Sequence, residues 1–288
     1  MVCTSPYPVY GYHSKSNLYV PCGHCTACRI SRTSEWALRL MNELPYWNNE
    51  AVFLTLTYDD EHLPIDNSLN RRDLQLFWKN LRKDLDCENK KIKYYACGEY
   101  GDTYGRPHYH AIVFGLAYNE QSRKLVKDNW TLCDPLRFDY DSRSHKERGF
   151  APVSPDDIRY VCGYVQKKYN GKKAIEIYGE RLPPYSASSK GLGLRFAEDN
   201  KERLENGEIT FRGHQVSVPR YYYKKLNLKT NSFNGFKHKV DYLEERGISI
   251  NNIPPSQLNK FVNEKYESLA IVHLEQAERE LRARYEME

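Results

Sequence analysis

Two histidines in the segment RPHYHAIVFG are spaced so that they could hold a divalent cation. Residues 108–115 have the composition of a strand, and alternate side chains of a strand point the same way, so His108 and His110 share one face. Glu99 ends the preceding strand-like run, and a short turn would bring its carboxylate beside both rings. Two imidazoles and one carboxylate leave coordination positions open for a substrate oxygen. The alternative is a pair of half-buried strand histidines that bind no metal.

A second candidate group lies on a helix predicted over 154–169. Tyr160 and Tyr164 are four residues apart, so their side chains share one helical face, roughly 5–6 Å apart at Cβ. A tyrosine hydroxyl is a weak nucleophile unless a cation assists it. Lys167 and Lys168 continue this face, and a lysine there would favour the phenolate. The alternative is two amphipathic tyrosines packed against a sheet.

Cysteines at two-residue gaps in PCGHCTACR form a third candidate site. Cys22, Cys25 and Cys28 can wrap one tetrahedral metal ion, and Cys3 is the natural fourth ligand of a closed zinc site. His24 is an alternative ligand. An iron–sulfur cluster is not expected, because the Cys-Pro that follows this spacing in ferredoxins is missing. Free thiols are the remaining alternative.

Hydrophobic periodicity predicts the elements that carry these residues. Helices are predicted over 29–44, 67–86, 119–129 and 154–169, strands over 51–58, 91–99 and 108–115, a loop over 183–196, a hairpin over 207–226 and a terminal helix over 255–288. Ser154 and Pro155 suit the start of the fourth helix. This order predicts an α+β fold, with a central antiparallel sheet of about five strands and helices on one face.

The composition limits the function classes. The 288 residues carry 43 Lys and Arg against 38 Asp and Glu, a net charge of +5, which fits a local basic groove for a polyanion. The 24 tyrosines fit base stacking on single strands, or merely the coding bias of an A·T-rich genome. We expect neither a membrane span nor an export signal, so the eight cysteines should stay reduced.

Three segments stand in an order that resembles a known family. AVFLTLTY, GEYGDTYGRPHYHAIVFG and YVCGYVQKK resemble the three motifs of His-hydrophobic-His (HUH) replication initiators. The resemblance is closest to the rolling-circle initiators of microviruses, especially gokushoviruses, and extends over about residues 3–226. It implies a split βαβ nuclease palm. We expect a Cys-rich arm and helix over 1–48, an endonuclease core over 49–200, and a C-terminal hairpin and helix over 201–288.

The resemblance also implies a mechanism. Glu99 and the two histidines would hold Mg²⁺ or Mn²⁺ at the scissile phosphate of origin DNA. Tyr160 or Tyr164 would attack, leaving a 5′-phosphotyrosyl adduct and a free 3′-OH that primes synthesis. The second tyrosine would cut the regenerated origin, and the released 3′-OH would then close the circle. Lys167 would stabilise the phenolate or the phosphate charge.

The partners follow from the same resemblance. The expected substrate is single-stranded or supercoiled phage origin DNA in the cytoplasm of a bacterial host. The sequence has no G-x-x-x-x-G-K-[ST] segment, so a host helicase and a host polymerase are expected. Thr55 and Thr57 share a strand face near the site without a catalytic role. The side chains expected to contact DNA are Lys168, Lys190, Arg220, Tyr222, Lys224 and Lys225.

Two other functions fit the same residues. A non-catalytic zinc protein could bind single-stranded nucleic acid through the cysteine cluster, tyrosines and lysines, and it would leave no covalent adduct. A metal-dependent hydrolase could cut with an activated water at His108 and His110, and it would not need the tyrosines. Formation of a protein–DNA adduct separates all three functions.

Overall fold

The computed structural model describes part of the chain, and all structural statements concern that part. The described residues are 3, 7–9, 18–87, 90–101, 104–141, 146–147, 149–167, 172–211, 214–228, 243–249, 253–254, 257, 261–262, 264–265 and 269. The strands are β1 Tyr7–Val9, β2 Leu18–Val20, β3 Ala51–Leu56, β4 Lys93–Tyr100, β5 Pro107–Phe114, β6 Tyr140–Asp141, β7 Lys146–Glu147, β8 Phe150–Pro152, β9 Tyr185–Ser188, β10 Thr210–Phe211 and β11 His214–Gln215. The α-helices are α1 Thr26–Glu43, α2 Arg71–Asp86, α3 Glu120–Asn129, α4 Pro155–Lys167, α5 Lys172–Tyr178, α6 Leu194–Asp199, α7 Lys201–Glu205 and α8 Arg220–Leu226, with 3₁₀ turns at Leu44–Trp47 and Pro135–Phe138.

The chain divides into two compact units. One unit is Thr33–Phe196, which we call the sheet unit, and the other combines Met1–Arg32 with Ala197–Glu288, which we call the cysteine unit. The three-part division expected from the sequence stays a prediction.

A five-stranded antiparallel sheet organises the sheet unit. Its strand order is β8-β3-β5-β4-β9, and every neighbouring pair is antiparallel. This confirms the predicted α+β class and the predicted number of strands. The loop predicted over 183–196 is wrong, because β9 pairs with β4 along one edge of the sheet and α6 begins at Leu194.

The main hydrophobic core lies on one face of the sheet. Leu54 of β3 and Ala111 of β5 are directly opposite each other there, and both are fully buried. Helix α2 covers this face because its apolar positions recur at helical spacing. Its buried residues are Leu74, Phe77, Trp78, Leu81 and Leu85. The Asn70 side chain starts α2 by accepting a hydrogen bond from the Arg72 backbone N–H at 2.9 Å.

Helices α1 and α4 lie on the opposite face. The Trp36 ring of α1 packs on Tyr95 of β4, with centroids 4.7 Å apart. The Thr33 hydroxyl donates to the Cys162 carbonyl of α4 at 3.1 Å, which joins the two helices. Helices therefore cover both faces of the sheet, whereas the sequence predicted one covered face. A sheet with apolar side chains on both faces needs both covered.

A reciprocal pair of hydrogen bonds starts helix α4. The Asp157 backbone N–H donates to the Ser154 hydroxyl at 3.2 Å, and the Ser154 backbone N–H donates to the Asp157 carboxylate at 2.7 Å. Such a capping box satisfies amide groups that a helix start would otherwise leave without partners. The predicted helix start is confirmed, and the cap fixes where the next turns of α4 begin.

The cysteine unit differs from its predicted hairpin. Only β10 and β11 form a hairpin among the described residues of this segment, and residues 220–226 form helix α8. Most of the helix predicted over 255–288 lies outside the described residues. Among the described helices, none combines the length and apolar character that crossing a membrane requires.

Candidate metal centre and nucleophile

The register of the three central strands brings the predicted metal ligands together. Glu99 of β4 is directly opposite His108 of β5, and Thr55 of β3 is opposite His110. Because directly opposite residues of antiparallel strands share a face, these side chains emerge together on the face that α1 and α4 cover. The predicted convergence of Glu99 with both histidines is confirmed.

Both imidazoles point one nitrogen at the same carboxylate oxygen. His108 Nε2 lies 2.8 Å from Glu99 Oε1, and His110 Nε2 lies 3.3 Å from it. The three side chains are mostly buried, with 17% of His108, 8% of His110 and 6% of Glu99 exposed. Burial opposes the charge of Glu99, but hydrogen bonds and charge from the histidines outweigh burial and lower the pKa of Glu99 to about 2. The carboxylate is therefore charged at neutral pH.

The other ring nitrogens are held from behind. His108 Nδ1 lies 3.2 Å from the Arg106 carbonyl oxygen, and His110 Nδ1 lies 3.0 Å from the Thr55 hydroxyl. A carbonyl oxygen only accepts, so His108 Nδ1 carries a proton. In a neutral His108 ring, Nε2 then has a lone pair aimed at a carboxylate, and a cation must lie between the two atoms. This pattern of outer hydrogen bonds is typical of histidines that bind metals.

The carboxylate has an oxygen to spare for such a cation. Glu99 Oε2 is buried and has no hydrogen-bond partner among the described residues. One ligand atom from each of Glu99, His108 and His110 falls within 4.8 Å of the others. A divalent ion between them would use the idle oxygen and both Nε2 atoms, so the residues fit a metal of this type.

Tyr160 stands against this group. Its ring centroid lies 5.4 Å from that of His110, nearly perpendicular to it, and 6.3 Å from that of Phe53. Its neighbours Ile158 and Val161 are fully buried and anchor α4, whereas 37% of Tyr160 is exposed. Tyr160 is therefore both beside the candidate metal ligands and open to a substrate.

The rest of the predicted face is described only in part. Tyr164 and Lys167 belong to α4, so Tyr164 is one turn beyond Tyr160 along the helix axis. Their side chains and the whole of Lys168 lie outside the described residues. The roles predicted for these three residues stay predictions.

Tyrosines elsewhere in the sheet unit are poor nucleophiles. Burial raises the pKa of Tyr58, Tyr95, Tyr109 and Tyr185 above the ordinary value of a phenol. The Tyr58 and Tyr109 hydroxyls also lie 3.0 Å apart as hydrogen-bond partners. These rings stabilise the core, which separates them from the half-exposed Tyr160.

An open cavity of about 770 Å³ adjoins the histidines at one end of β3 and β5. His108, Thr57, Tyr104 and Arg106 line it, together with the exposed Arg137. The Arg106 guanidinium is held in place because it donates to the Asp60 carboxylate and to the Tyr58 carbonyl. Arg137 is the exposed cation that could meet a phosphate next to His108.

The predicted DNA contacts lie in different surroundings. Lys190 is exposed on the sheet unit, and Arg220, Lys224 and Lys225 are exposed on α8 of the cysteine unit. Tyr222 is fully buried, because residues that would alternate in the expected hairpin instead follow the period of a helix. A buried ring cannot stack on a base, so the predicted DNA contact of Tyr222 is wrong.

Sequence reasoning missed the part that Thr55 plays. The sequence predicts only that this threonine lies near the DNA, but its hydroxyl is bonded to His110 Nδ1. The signal was available only jointly, since pairing β3 with β5 sets Thr55 opposite His110. The backbone of Arg106 supports His108 similarly, and no side-chain pattern could have indicated a carbonyl.

The four clustered cysteines come together in the cysteine unit. The sulfur atoms of Cys3, Cys22, Cys25 and Cys28 all lie within 4.8 Å of one another. This confirms that Cys3 joins the cluster, as the spacing predicted.

Comparison with known proteins adds a family. Residues 51–169 match the model of the replication-associated protein ORF2 family. Replication-associated protein VP4 of Bdellovibrio phage phiMH2K is 33% identical, over 71% of this chain and 67% of its own length. Replication-associated protein ORF2 of Spiroplasma virus 4 is 30% identical over 79% and 72%, and ORF4 of Chlamydia phage 1 is 32% identical over 76% and 56%. No solved structure matches the chain.

Proposed function

Since this chain belongs to the replication-associated protein family of the microviruses, we propose that it starts rolling-circle replication by cutting origin DNA with a tyrosine hydroxyl. The substrate would be a single strand, or an origin opened in supercoiled phage DNA, in the cytoplasm of the bacterial host. The observation that supports the cut is the contact of the Tyr160 ring with His110, in a cluster that Glu99 and His108 complete.

The transfer balances without an added energy source. The Tyr160 oxygen, or that of Tyr164, forms a bond to phosphorus as the bond to the 3′ oxygen breaks. The phenol proton is balanced by the new 3′-OH, and the 5′ end stays on the protein as a phosphotyrosyl ester. Because one phosphodiester is exchanged for another ester, a 3′-OH can later reverse the step and join the strand ends.

The proposed cofactor is Mg²⁺ or Mn²⁺ held by Glu99, His108 and His110. When bound, such an ion would supply positive charge that polarises the scissile phosphate. The protein's own contribution is orientation. Thr55 and the Arg106 carbonyl fix both rings from behind, so both Nε2 atoms face Glu99 before substrate arrives. Fixed ligands lower the reorganisation that the reaction would otherwise require.

The second tyrosine would serve the termination step. Tyr164 follows Tyr160 by one helical turn, which supports two alternating nucleophiles on one helix. While one tyrosine carries the first adduct, the other cuts the regenerated origin, and the released 3′-OH attacks the first adduct. Lys167, three residues beyond Tyr164, would stabilise the phenolate or the phosphate charge by its ammonium group.

The DNA would enter through the cavity beside His108. Arg137 is exposed along its wall and would contact a phosphate next to the cut. Host helicase and polymerase would open and extend the strand, because the chain has no P-loop motif of its own. The proposed contacts outside the cavity are Lys168, Lys190, Arg220, Lys224 and Lys225.

Adduct formation tests this function directly. Full-length protein is incubated with Mn²⁺ and single-stranded origin oligonucleotides labelled at either end, and then resolved under denaturing conditions. We expect a stable adduct that retains the strand 3′ of the cut, lost in the double variant Tyr160→Phe/Tyr164→Phe and in His108→Ala. Tyr118→Phe, at an exposed ring outside the site, is the matched control and should keep the adduct.

Two other outcomes would replace the proposal. Cleavage that persists in the double Phe variant, without any adduct, would indicate a metal-dependent hydrolase. Binding of the oligonucleotide without cleavage in any metal would indicate a non-catalytic single-strand-binding protein.

A further inference from the structure

We propose that Cys3, Cys22, Cys25 and Cys28 bind one Zn²⁺ ion in a closed structural site of the cysteine unit. This site is independent of the proposed nicking chemistry, because it uses none of the residues assigned to that reaction. It would tie the segment around residue 3 to the start of helix α1.

The sulfur positions fit a shared ion. Cys22 Sγ lies 4.0 Å from Cys28 Sγ, and Cys25 Sγ lies 3.7 Å from Cys3 Sγ. Tetrahedral zinc with Zn–S bonds of ~2.3 Å requires sulfur atoms ~3.8 Å apart. A disulfide would need ~2.05 Å, and all four cysteines are free. The two pairs are therefore spaced as two opposite edges of one zinc tetrahedron.

Backbone amides are aimed at the sulfurs. The Cys22 N–H donates to Cys3 Sγ at 3.2 Å, and the Cys25 N–H donates to Cys22 Sγ at 3.3 Å. Donors of this kind stabilise the negative charge of thiolate ligands. Gly23 adopts φ +79° between the two cysteines, a conformation that glycine accepts without strain, so the chain can turn tightly around the ion.

The helix contributes to the site as well. Helix α1 begins at Thr26, and Cys28 lies in its first turn, where the positive end of the helix dipole favours a thiolate. Cys25 packs against the buried Ala27 and Ile30, which hold that side of the cluster in place.

The choice of ligands points to zinc in a structural role. Four sulfurs complete a tetrahedron, so no position remains for a substrate or a water. His24, the alternative ligand, has its Nδ1 hydrogen-bonded to the Cys22 carbonyl at 2.9 Å. Cys3 supplies the fourth sulfur instead, although it is 19 residues from the next cysteine of the set.

Metal analysis of the wild-type chain tests the site without relying on a variant that folds. The full-length protein, expressed in zinc-supplemented medium and dialysed against a weak chelator, should retain about one zinc per chain. Replacement of zinc by Co²⁺ should give intense thiolate-to-cobalt charge-transfer bands and the visible bands of tetrahedral cobalt. No retained zinc, retained iron with sulfide, or cobalt spectra without thiolate bands would each overturn the proposal.

Variants then assign the ligands. Cys28→Ser should lose most of the zinc, whereas Cys87→Ser, at an exposed thiol on the end of α2, should keep it. The His108→Ala/His110→Ala double variant should also keep the zinc, because its site is separate. Full zinc in Cys28→Ser, or loss of zinc in the double histidine variant, would contradict the assignment. Loss of nicking alone would leave this zinc site unaffected.

Discussion

The carboxylate–histidine group of the sheet unit and the cysteine cluster of the cysteine unit are both compact sets of metal-binding side chains, but they leave different things free. Glu99, His108 and His110 supply three ligands on one side and face an exposed tyrosine. The cysteines supply four ligands around one point. The first arrangement leaves room for a substrate and the second does not, so ligand number alone separates a reactive centre from a structural one.

The two regions also differ in what holds their ligands. The histidines are fixed by a hydroxyl and a carbonyl behind each ring, on strands of the same sheet. The cysteines are fixed by local amides and a glycine turn within one short segment, plus Cys3. A rigid sheet suits a group whose geometry must match a transition state, whereas a local knuckle suits a cross-link.

The largest expected difference between the regions is their response to a chelator. Brief treatment with EDTA should abolish adduct formation, because weakly held Mg²⁺ or Mn²⁺ leaves the open site, while the melting temperature changes little. Added Mn²⁺ should restore the adduct. Adduct yields after repeated EDTA treatment, with zinc content measured in the same samples, check this. Undiminished nicking in chelator would break the comparison.

Removing the support behind one histidine should have a smaller effect. Thr55→Val keeps the shape of the side chain but deletes the hydroxyl that bonds His110 Nδ1. We expect the Mn²⁺ concentration for half-maximal adduct formation to rise about 10–100-fold, as for other outer-layer partners of metal ligands. Thr55→Ser should restore most of the affinity. An unchanged Mn²⁺ titration would show that Thr55 only packs.

The smallest expected effect concerns the path of the DNA. Arg137→Ala should weaken binding of single-stranded DNA a few-fold and lower the salt slope of the affinity by about one unit, because one phosphate contact is lost. Titrations at several salt concentrations measure both values. Lys79→Ala, an exposed cation on α2 that does not line the cavity, is the control. Equal slopes for both variants would exclude the cavity as the DNA path.

The sequence predicted the candidate metal ligands because their geometry is local. A two-residue spacing puts His108 and His110 on one strand face, and a short turn returns Glu99 to them. The start of α4 was equally predictable, since Ser154 and Asp157 satisfy each other's amides.

Features that depend on distant pairing were not predicted. Strand β9 is four residues long, and its hydrogen bonds come from β4, about 90 residues earlier in the chain. Helix α8 buries Tyr222 where a hairpin was expected. The contact of Thr55 with His110 requires the register of β3 with β5. Tertiary contacts override local propensity in each of these places.

The nucleophile is the central claim, and its position can be read from one peptide. The wild-type adduct is digested with nuclease and then with trypsin, which cuts after Arg159 and Lys167 and so releases both candidate tyrosines of α4 in one fragment. Mass spectrometry should find the nucleotide remnant on Tyr160 or Tyr164 within that fragment. A remnant on a tyrosine of any other peptide would contradict the account.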